Sequence, residues 1–430
     1  MNHAQRSKKL SLVRGEHTLV VGVDIAKHKQ WGCILDGLTE LPIGSAFAFQ
    51  NTRDGFGRLL GQIAKAQEKT GATRVLVAME PSGHYWKPLA AFLRQAGLKV
   101  VTVNPFHVKR AKEFDDNSPT KNDQKDAWVI ARRANDGDFF DPYLPEGVYA
   151  DLRALVQARQ QHRVKLNQAL NQLQALLDEY FPEFMTVFAD PLGKAAVYLL
   201  QNHPFPTDVL ALSVEQLTVE LRAASNCRVG LKRAMRIQEA ARESIGVKEG
   251  LTAARIRLRQ HLEEVAFWHS QMAETEAAMA KGLQETGLAP YLLSVPGVGV
   301  VTAAGLLGEA GDLERYEDWR QLRKLAGYNL AENSSGQQHS KTHITKRGRP
   351  GLRSLLYQAA LSLVAKNREF KALFQHFKTR DQNRLTGKQA LVAIASKLLR
   401  VLFTLAREHR YYDPAKVLGE FRTIQLGLAA

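Results

Sequence analysis

Short apolar runs alternate with helical patterns in the first third of the chain. The runs LVVGVDIA (19–26), TRVLVAME (73–80) and LKVVTV (98–103) are rich in β-branched residues and almost uninterrupted. That composition is typical of strands covered on both faces of a sheet. WGCILD (31–36) follows the first run after a tight connection, KHKQ, and is typical of the second arm of a hairpin.

Helical spacing separates these predicted strands. The segments 54–69 and 84–97 each place apolar residues three and four apart, and the second ends on glycine. Strands that alternate with helices predict a mixed sheet with helices packed on it. We therefore predict an α/β domain over residues 15–150.

After residue 150 the pattern changes to long helices. Two segments about a hundred residues apart repeat an apolar seam at spacings of three and four, and we expect a helical, coiled-coil connector over 151–285. Its seams could pair as an antiparallel hairpin, join two chains, or pack inside one domain. Residues 186–250 carry no chemical signal. The seams are Leu152, Val156, Leu166, Leu170, Leu173 and Leu177, then Leu258, Leu262, Val265, Met272, Met279 and Leu283.

A mainly helical C-terminal domain is predicted over 286–410, followed by a tail over 411–430. It opens with SVPGVGVVTAAGLLGEAGD, where Gly297 and Gly299 precede a helix of small residues. This pattern indicates a helix-hairpin-helix turn, whose backbone N–H groups can bind a phosphate. Glycines also occur wherever two helices pack closely, so both interpretations stay open.

Composition points to a nucleic-acid partner. The 430 residues exceed a single core of about 250–300 residues, which predicts two or more domains. Lys and Arg number 59 against 43 Asp and Glu, a formal net charge of +16. Such an excess attracts polyanions. An anionic membrane surface is the weaker alternative, because the basic residues are spread along the chain rather than gathered on one amphipathic helix.

The remaining bulk features favour a cytoplasmic protein. Cys33 and Cys227 are the two cysteines, too few for a four-thiolate zinc site or a disulfide framework. The basic N-terminus lacks the apolar core of a signal peptide. No stretch approaches 18 consecutive apolar residues, so no membrane partner is predicted.

A basic segment precedes a strongly apolar helix near the C-terminus. Residues 341–353 contain no Asp or Glu, and their glycines together with a proline predict a shaped loop. A run of charge is often a solvated face, but this one favours contact with phosphates. His339 and His343 have a spacing that binds zinc on a helix, yet the segment is predicted as loop. The predicted nucleic-acid-binding residues are Lys341, Lys346, Arg347, Arg349 and Arg353.

Four acidic residues form the candidate chemistry of the α/β domain. Asp24 interrupts the first apolar strand, and Glu80 ends the later one, where α/β sheets assemble their sites. Asp123 and Asp126 share a face near the start of a helix, although their charges repel. Each acid alone could be a cap, an ion-pair partner or a satisfied buried residue. Together they predict an all-oxygen site for Mg²⁺ or Mn²⁺. Two such ions can act on a phosphodiester.

The motifs carrying these residues resemble one transposase family. VGVDIAK, AMEPSGHYW, VNPFHVKRAK and KNDQKDAWVIARR resemble the RuvC-like, RNase H-fold domain of DEDD insertion-sequence transposases. SVPGVGVVTAAGLLGE and NSSGQQHSKTHITKRGRPGLRSLL resemble the C-terminal domain of the same proteins. The similarity covers residues 18–147 and 286–405, with a helical connector that is also typical of the family.

The resemblance implies specific roles. It makes Asp24, Glu80, Asp123 and Asp126 the metal-binding tetrad, and Ser335, which precedes the glycine of NSSG, a nucleophile that attacks DNA. Without it, ENSSG would be interpreted as a turn. It also implies a guide, or bridge, RNA that pairs with donor and target DNA. The positive charge permits such an RNA and does not show one.

Three functions remain open on the sequence. The first is a transposase, a site-specific recombinase that excises and inserts its own element as a homodimer or homotetramer in the bacterial or archaeal cytoplasm, at the nucleoid. The second is a metal-dependent junction endonuclease that uses water and forms no covalent serine link. The third is an architectural nucleic-acid-binding protein whose acids are structural. Strand breakage and a covalent adduct distinguish the three.

Overall fold

The structure divides into two compact units. It is a computed structural model that describes residues 3–14, 17–81, 83–115, 123–331, 334–335, 338–339 and 342–419. The first unit is Met1–Leu144 and the second is Pro145–Ala430. The sequence-based boundary at residue 150 lies close to this division. The predicted connector and C-terminal domain both fall within the second unit.

The N-terminal unit is a five-stranded mixed sheet with helices on both faces. The strand order is β3-β2-β1-β4-β5, in which β1, β2 and β3 are antiparallel neighbours and β1, β4 and β5 are parallel neighbours. The mixed α/β prediction is therefore confirmed. In chain order the elements are α1 (His3–Arg14), β1 (Thr18–Asp24), β2 (Lys29–Asp36), β3 (Phe47–Gln50), α2 (Arg53–Thr70), β4 (Arg74–Met79), α3 (Trp86–Gln95), β5 (Lys99–Thr102), α4 (Pro105–Asp115) and α5 (Asp123–Asn135).

Strand side chains alternate between two hydrophobic cores. Leu19, Val21 and Val23 of β1 face the core that contains α2 and α3. Val20 faces the opposite core, to which α1, α4 and α5 contribute. Because successive strand residues point to opposite faces, Gly22 and Asp24 continue the side of Val20. Residues of β4 alternate in the same way, with Leu76 and Ala78 on the α5 side.

The C-terminal unit is largely helical. This confirms the predicted change from α/β to helical structure. The described part of this unit also contains four short strands and one 3₁₀ helix, Leu313–Arg315. These elements are α6 (Val148–Tyr180), α7 (Phe184–Val187), α8 (Lys194–Asn202), α9 (Pro206–Leu210), α10 (Val214–Ala224), α11 (Leu231–Arg242), α12 (Leu251–Glu285), α13 (Ala289–Leu293), α14 (Val300–Ala310), α15 (Trp319–Ala326), β6 (Leu330–Ala331), β7 (Ser334–Ser335), β8 (Gln338–His339), β9 (His343–Ile344), α16 (Pro350–Lys366), α17 (Arg368–Thr379), α18 (Gly387–Glu408) and α19 (Pro414–Leu418).

The long helices α6 and α12 pair with each other in an antiparallel arrangement. Near one end, a Cβ on Gly282 would lie 3.0 Å from the Leu152 side chain, and at the other a Cβ on Gly250 would lie 3.5 Å from the Tyr180 hydroxyl. Between these points Arg159 donates to Glu276 at 2.7 Å. The seams therefore meet within one chain, which is one of the alternatives left open by the sequence.

Helices α7 to α11 form a small bundle between α6 and α12. Its core combines aromatic residues such as Phe181 and Phe205 with leucines from both long helices. The end of the bundle lies next to the end of α6, where the bundle begins, because the Val247 N–H donates to the Glu179 carbonyl at 3.0 Å. Residues 186–250, which carried no chemical signal, thus build a packed module on the helical pair.

Helix α18 is the apolar centre of the C-terminal core. Ile394, Leu398 and Leu402 are fully buried there, in contact with α13, α15, α16 and α17. Among the described helices, α18 alone has the length and the apolar composition needed to cross a membrane. Half of its most apolar 18-residue stretch, 50%, is buried inside the protein. Its buried face is covered by the protein itself.

Candidate active site and nucleic-acid interface

Two of the predicted carboxylates end neighbouring parallel strands. Asp24 is the last residue of β1, and Glu80 directly follows β4. The strand register pairs Val23 with Met79, so Asp24 and Glu80 occupy the next, matching positions. Both are half-buried. The alternation of strand side chains directs both toward the face covered by α5.

Helix α5 brings a third carboxylate to this face. It packs closely on β1, because a Cβ on Gly22 would lie 2.1 Å from the Ala127 carbonyl oxygen. Asp126, which precedes Ala127, is only 6% exposed. Sequence reasoning did not single out Gly22, although a glycine two residues before a strand aspartate is a signal of close helix approach. The glycine thus allows α5, which carries Asp126, to pack closely on β1, but Asp24, Glu80 and Asp126 are not grouped closely enough to hold a metal ion between them.

The fourth carboxylate is only partly described. Asp123 begins α5, one helical turn before Asp126, and its side chain lies outside the described residues. Among the side chains that are described, no three His, Cys, Asp or Glu residues are grouped closely enough to hold a metal ion. The donor set itself, consisting of carboxylate oxygens alone, fits Mg²⁺ or Mn²⁺. The four-acid site stays a prediction.

Basic and aromatic side chains occupy α4 and α5 beside the acidic face. Lys109 and Arg110 of α4 are exposed. The Arg110 guanidinium lies 4.6 Å from the ring centre of Phe106, which is 57% exposed. An exposed aromatic ring under an arginine can stack on a nucleobase. Phe106 was missed in the sequence because its exposure follows only from the packing of α4.

The serine segment contains short strands. Predicted as loop, residues 334–344 instead include β7 paired with β8, in which Ser335 lies opposite Gln338, and β9 paired with β6. His339 lies in β8 and His343 in β9, so the two histidines do not share a helix face. The Ser335 side chain lies outside the described residues.

The predicted basic loop separates into exposed and anchored residues. Lys346 and Arg347 are exposed. Arg349 is half-buried, where it donates to the Glu309 carbonyl and lies 3.8 Å from the Glu309 carboxylate. Arg353 donates to the Ala326 and Lys346 carbonyls, at 3.2 Å each. Lys341 lies outside the described residues.

The anchored arginines hold the loop in shape. Gly327 has φ of +74° and its carbonyl accepts from the Lys346 N–H at 3.1 Å. A Cβ at this glycine would meet the Arg353 guanidinium at 2.9 Å. The fold therefore fixes the backbone that presents Lys346 and Arg347 to solvent, a role for Arg349 and Arg353 that the sequence did not predict.

The glycine turn before α14 joins α13 to α14. Gly297 has φ of +96° and its added Cβ would lie 3.3 Å from the Leu363 Cα of α16. Gly299 precedes α14 and faces open space. Gly297 therefore forms a turn and allows close helix packing, whereas the phosphate-binding helix-hairpin-helix turn stays a prediction.

The chemistry of the two cysteines agrees with a protein free of disulfides. Cys33 and Cys227 are both unbonded, the first buried in β2 and the second exposed. Burial raises the pKa of the Cys33 thiol to about 11. This thiol is therefore protonated at neutral pH and contributes to the core as a small apolar side chain.

Sequence comparison connects both units to one group of enzymes. The family model DEDD_Tnp_IS110, described as a transposase, matches residues 21–182 and so includes all four acidic residues. A second model, described as the transposase IS116/IS110/IS902 family, matches residues 289–375 and includes Ser335 and the basic loop. The chain is a transposase, similar in both units to the IS116/IS110/IS902 family. Transposases of this family are enzymes that cleave and rejoin DNA.

Full-length relatives agree with this assignment. The chain is 26% identical over 402 residues to the "Insertion element IS110 uncharacterized 43.6 kDa protein" of Streptomyces coelicolor, covering 93% of this transposase and 96% of the relative. It is 24% identical to the "Transposase for insertion sequence element IS1111A" of Coxiella burnetii, over 78% and 79% of the two chains. A "Pilin gene-inverting protein" of Moraxella bovis is 22% identical, over 91% and 97%.

Proposed function

We propose that this transposase excises and inserts a mobile insertion-sequence element by using an acidic metal site and a serine nucleophile. The observation that carries the proposal is the matched position of Asp24 and Glu80 at the ends of two neighbouring parallel strands, on the face where α5 buries Asp126. Carboxylate oxygens are the ligands that Mg²⁺ and Mn²⁺ prefer, and a divalent ion held by them can act on a phosphodiester.

The acidic residues would hold and orient the scissile phosphate. Asp24, Glu80, Asp123 and Asp126 would bind Mg²⁺ or Mn²⁺. When bound, such ions neutralise charge on the attacked phosphodiester and on its leaving oxygen. The protein's own contribution is rigidity: β1 and β4 fix two carboxylates, and the close contact of α5 with Gly22 fixes a third.

Ser335 would supply the covalent step. Its hydroxyl oxygen attacks the phosphorus, a phosphoserine bond forms, the bond to the 3′ oxygen breaks, and the serine proton leaves the site as the 3′ oxygen becomes a hydroxyl. A 3′-hydroxyl from another strand later attacks the phosphoserine and releases the serine. Each step exchanges one phosphodiester for another, so rejoining requires no nucleotide cofactor.

The basic loop would hold DNA beside this serine. Lys346 and Arg347 are the exposed members and would contact phosphates, with Lys341 a third candidate outside the described residues. Arg349 and Arg353 would act indirectly, by keeping the loop in place through their bonds to Glu309 and Ala326.

The family resemblance extends the proposal to partners. A guide RNA encoded by the element would select donor and target DNA, and a homodimer or homotetramer would hold the two duplexes in the cytoplasm, at the nucleoid. The relative named for inverting a pilin gene supports recombination between two DNA sites. Sequencing the RNA that copurifies with the transposase tests the guide, and sedimentation of the complex tests the assembly.

A covalent-trapping experiment tests the serine mechanism. The full-length transposase, with its copurifying RNA and Mg²⁺, is mixed with labelled DNA carrying both element ends and then denatured. We expect labelled protein from the wild type and from Ser334→Ala, and none from Ser335→Ala. Asp126→Asn should lower adduct formation by at least 10²-fold if its carboxylate binds the ion.

Two outcomes would contradict the proposal. Free cleaved ends with an active Ser335→Ala variant would favour the metal-dependent junction endonuclease, which uses water. Unchanged cleavage in Asp126→Asn and Glu80→Gln, with a normal melting temperature, would show that these acids are structural.

A further inference from the structure

An open groove runs between α6 and α16 in the C-terminal unit. Its volume is about 600 Å³, and its floor is the turn and first residues of α14. The α6 wall presents Arg159, Gln160, Arg163 and Asn167, which lie at spacings of one, three and four. These positions share one helix face. The groove therefore extends along about two turns of α6 and is not a small cavity at one residue.

The opposite wall follows α16 for most of its length. Gly351, Ser354, Gln358, Ser362 and Lys366 line it at spacings of three and four. At a rise of 1.5 Å per residue this wall is about 22 Å long. Ser354, Gln358 and Lys366 are exposed. Such a length and polarity suit an extended polar chain better than a small molecule.

The electrostatics of the groove are one-sided. Among the described residues that line the groove, none is acidic, whereas Arg159, Arg163 and Lys366 are basic. Arg159 is paired with Glu276 at 2.6 Å, but Arg163 and Lys366 make no ion pair with the residues that the structure describes. The nearest acid at the Gly351 end, Glu309, already lies 3.5 Å from Arg153 and 3.8 Å from Arg349. The groove is therefore suited to an anion.

The floor allows a ligand backbone to approach closely. Gly297, Gly299 and Gly305 contribute to it, and the space around Gly299 is open. The part of the lining that the structure describes contains no Phe, Tyr, Trp or His. Single-stranded nucleic acids usually stack their bases on aromatic side chains. A groove without such rings but with cations and amides on its walls fits the sugar-phosphate backbone rather than the bases.

The groove continues from the basic loop. Gly351 lines its end and lies only two residues after Arg349, and the exposed Lys346 and Arg347 precede it in the same unit. We propose that the α6–α16 groove binds the phosphodiester backbone of one nucleic-acid strand that runs on from the basic loop, with Arg163 and Lys366 contacting phosphates. This proposal rests on the proposed action of Ser335 on DNA and adds the path of the strand.

Salt-dependent binding tests the groove. Affinities of the full-length protein for single-stranded DNA, duplex DNA and single-stranded RNA of equal length are measured by fluorescence anisotropy at several salt concentrations. The double variant Arg163→Ala/Lys366→Ala should reduce the slope of log affinity against log salt by about 1.4 for a single strand and about 1.8 for a duplex. A smaller slope for single-stranded or duplex DNA would support the groove as the path of the DNA strand on which Ser335 acts, whereas a smaller slope for RNA alone would contradict that path.

A matched control separates the groove from general charge. Arg257→Ala/Lys281→Ala removes the same charge from exposed positions of α12 outside the groove and should leave the slopes unchanged. Gln358→Glu, which places an acid inside the groove, should weaken binding, whereas Gln157→Glu on the exposed part of α6 should not. Melting temperatures of all variants check folding.

Several results would overturn the groove. Equal losses in the groove and control variants, or no loss in either, would contradict it, as would a change in self-association without a change in nucleic-acid binding. Normal binding by the groove variants, together with loss of the adduct in Ser335→Ala, would refute the groove and leave the proposed function standing. Reduced binding by the groove variants, without any adduct from the wild type, would support the groove as a binding surface and refute the proposed serine mechanism.

Discussion

Gly22 is the residue on which the geometry of the candidate acidic site depends most directly. An added Cβ would lie 2.1 Å from the Ala127 carbonyl oxygen, 2.5 Å from the Ala131 nitrogen and 2.8 Å from its Cβ. The first two are backbone atoms of α5, so no side-chain rotation relieves the contact. Any larger residue must move the helix that carries Asp126 relative to the strand that carries Asp24.

Gly22→Ala should therefore impair both folding and catalysis. We expect a loss of about 1–3 kcal/mol in the free energy of unfolding, the usual cost of overpacking a core. DNA cleavage should fall further than the folded fraction does, because α5 moves away from the strand ends. Chemical denaturation and a cleavage assay on the same preparation measure the two effects.

A glycine without neighbours provides the control. Gly57 lies inside α2 with open space around its Cβ position. Gly57→Ala should raise stability by about 0.5–1 kcal/mol, because alanine is the better helix former. If Gly22→Ala proved as stable and as active as Gly57→Ala, the close contact of α5 with β1 would be wrong.

The sequence identified single residues where the signal is local. Asp24 and Glu80 stand out because a charge interrupts or ends an apolar strand, and the strand register then places them side by side. The role of Arg349 was not predictable, since its partner Glu309 is 40 residues away and no local pattern connects the two. Long-range ion pairs depend on tertiary packing, which one sequence does not reveal.

Among the elements, α18 shows how a strongly apolar helix serves as a core. Its buried positions include Ala390, Ile394, Leu398 and Leu402, spaced by four, and Thr404 lies on its exposed face. A capping box at Thr386 and Gln389 fixes where it begins. The helix supports α16, which carries the basic loop on one side and a groove wall along its length.

Truncation inside α18 should therefore destabilise the C-terminal unit. Leu398→Ala removes a fully buried side chain and should cost about 2–5 kcal/mol. Thr404→Ala, on the exposed face, should change stability by less than about 0.5 kcal/mol. Equilibrium denaturation followed by far-UV circular dichroism measures both; equal effects of the two substitutions would contradict the burial of this helix.

Elements were predictable from the sequence in proportion to their length and periodicity. The strands β1, β2, β4 and β5 and the helices α2 and α3 follow from their patterns. The edge strand β3, FAFQ, was missed because it contains no β-branched residue, unlike the equally short β5, KVVT. The bundle α7–α11 was also missed as a module. Its helices of 4 to 12 residues bury aromatic residues against α6 and α12, contacts that local spacing does not show.

At the scale of the whole molecule, the positive charge and the two units make different contributions to the proposed recombination. The net charge of +16 supplies attraction to nucleic acid at a distance, which is screened within about 10 Å at 0.1 M salt. Charge alone does not select a site. The acids of the N-terminal unit and the serine segment of the C-terminal unit supply the proposed chemistry, each on its own scaffold.

The two scaffolds should unfold separately. Among the described residues, each hydrophobic core draws its buried side chains from one unit alone: two cores from Met1–Leu144 and three from Pro145–Ala430. Calorimetry of the full-length protein should therefore resolve two transitions. Gly22→Ala should lower only the transition of the N-terminal unit, and Leu398→Ala only that of the C-terminal unit.

Combining the substitutions makes this test quantitative. Because the two sites share no core, their effects on the free energy of unfolding should add to within about 0.5 kcal/mol in the double variant. Single-unit fragments are not needed, since each substitution labels one transition in the intact chain. A single transition that both substitutions lower would mean that the units stabilise each other, and catalysis by the acids would then depend on the integrity of α18 as well as on Gly22.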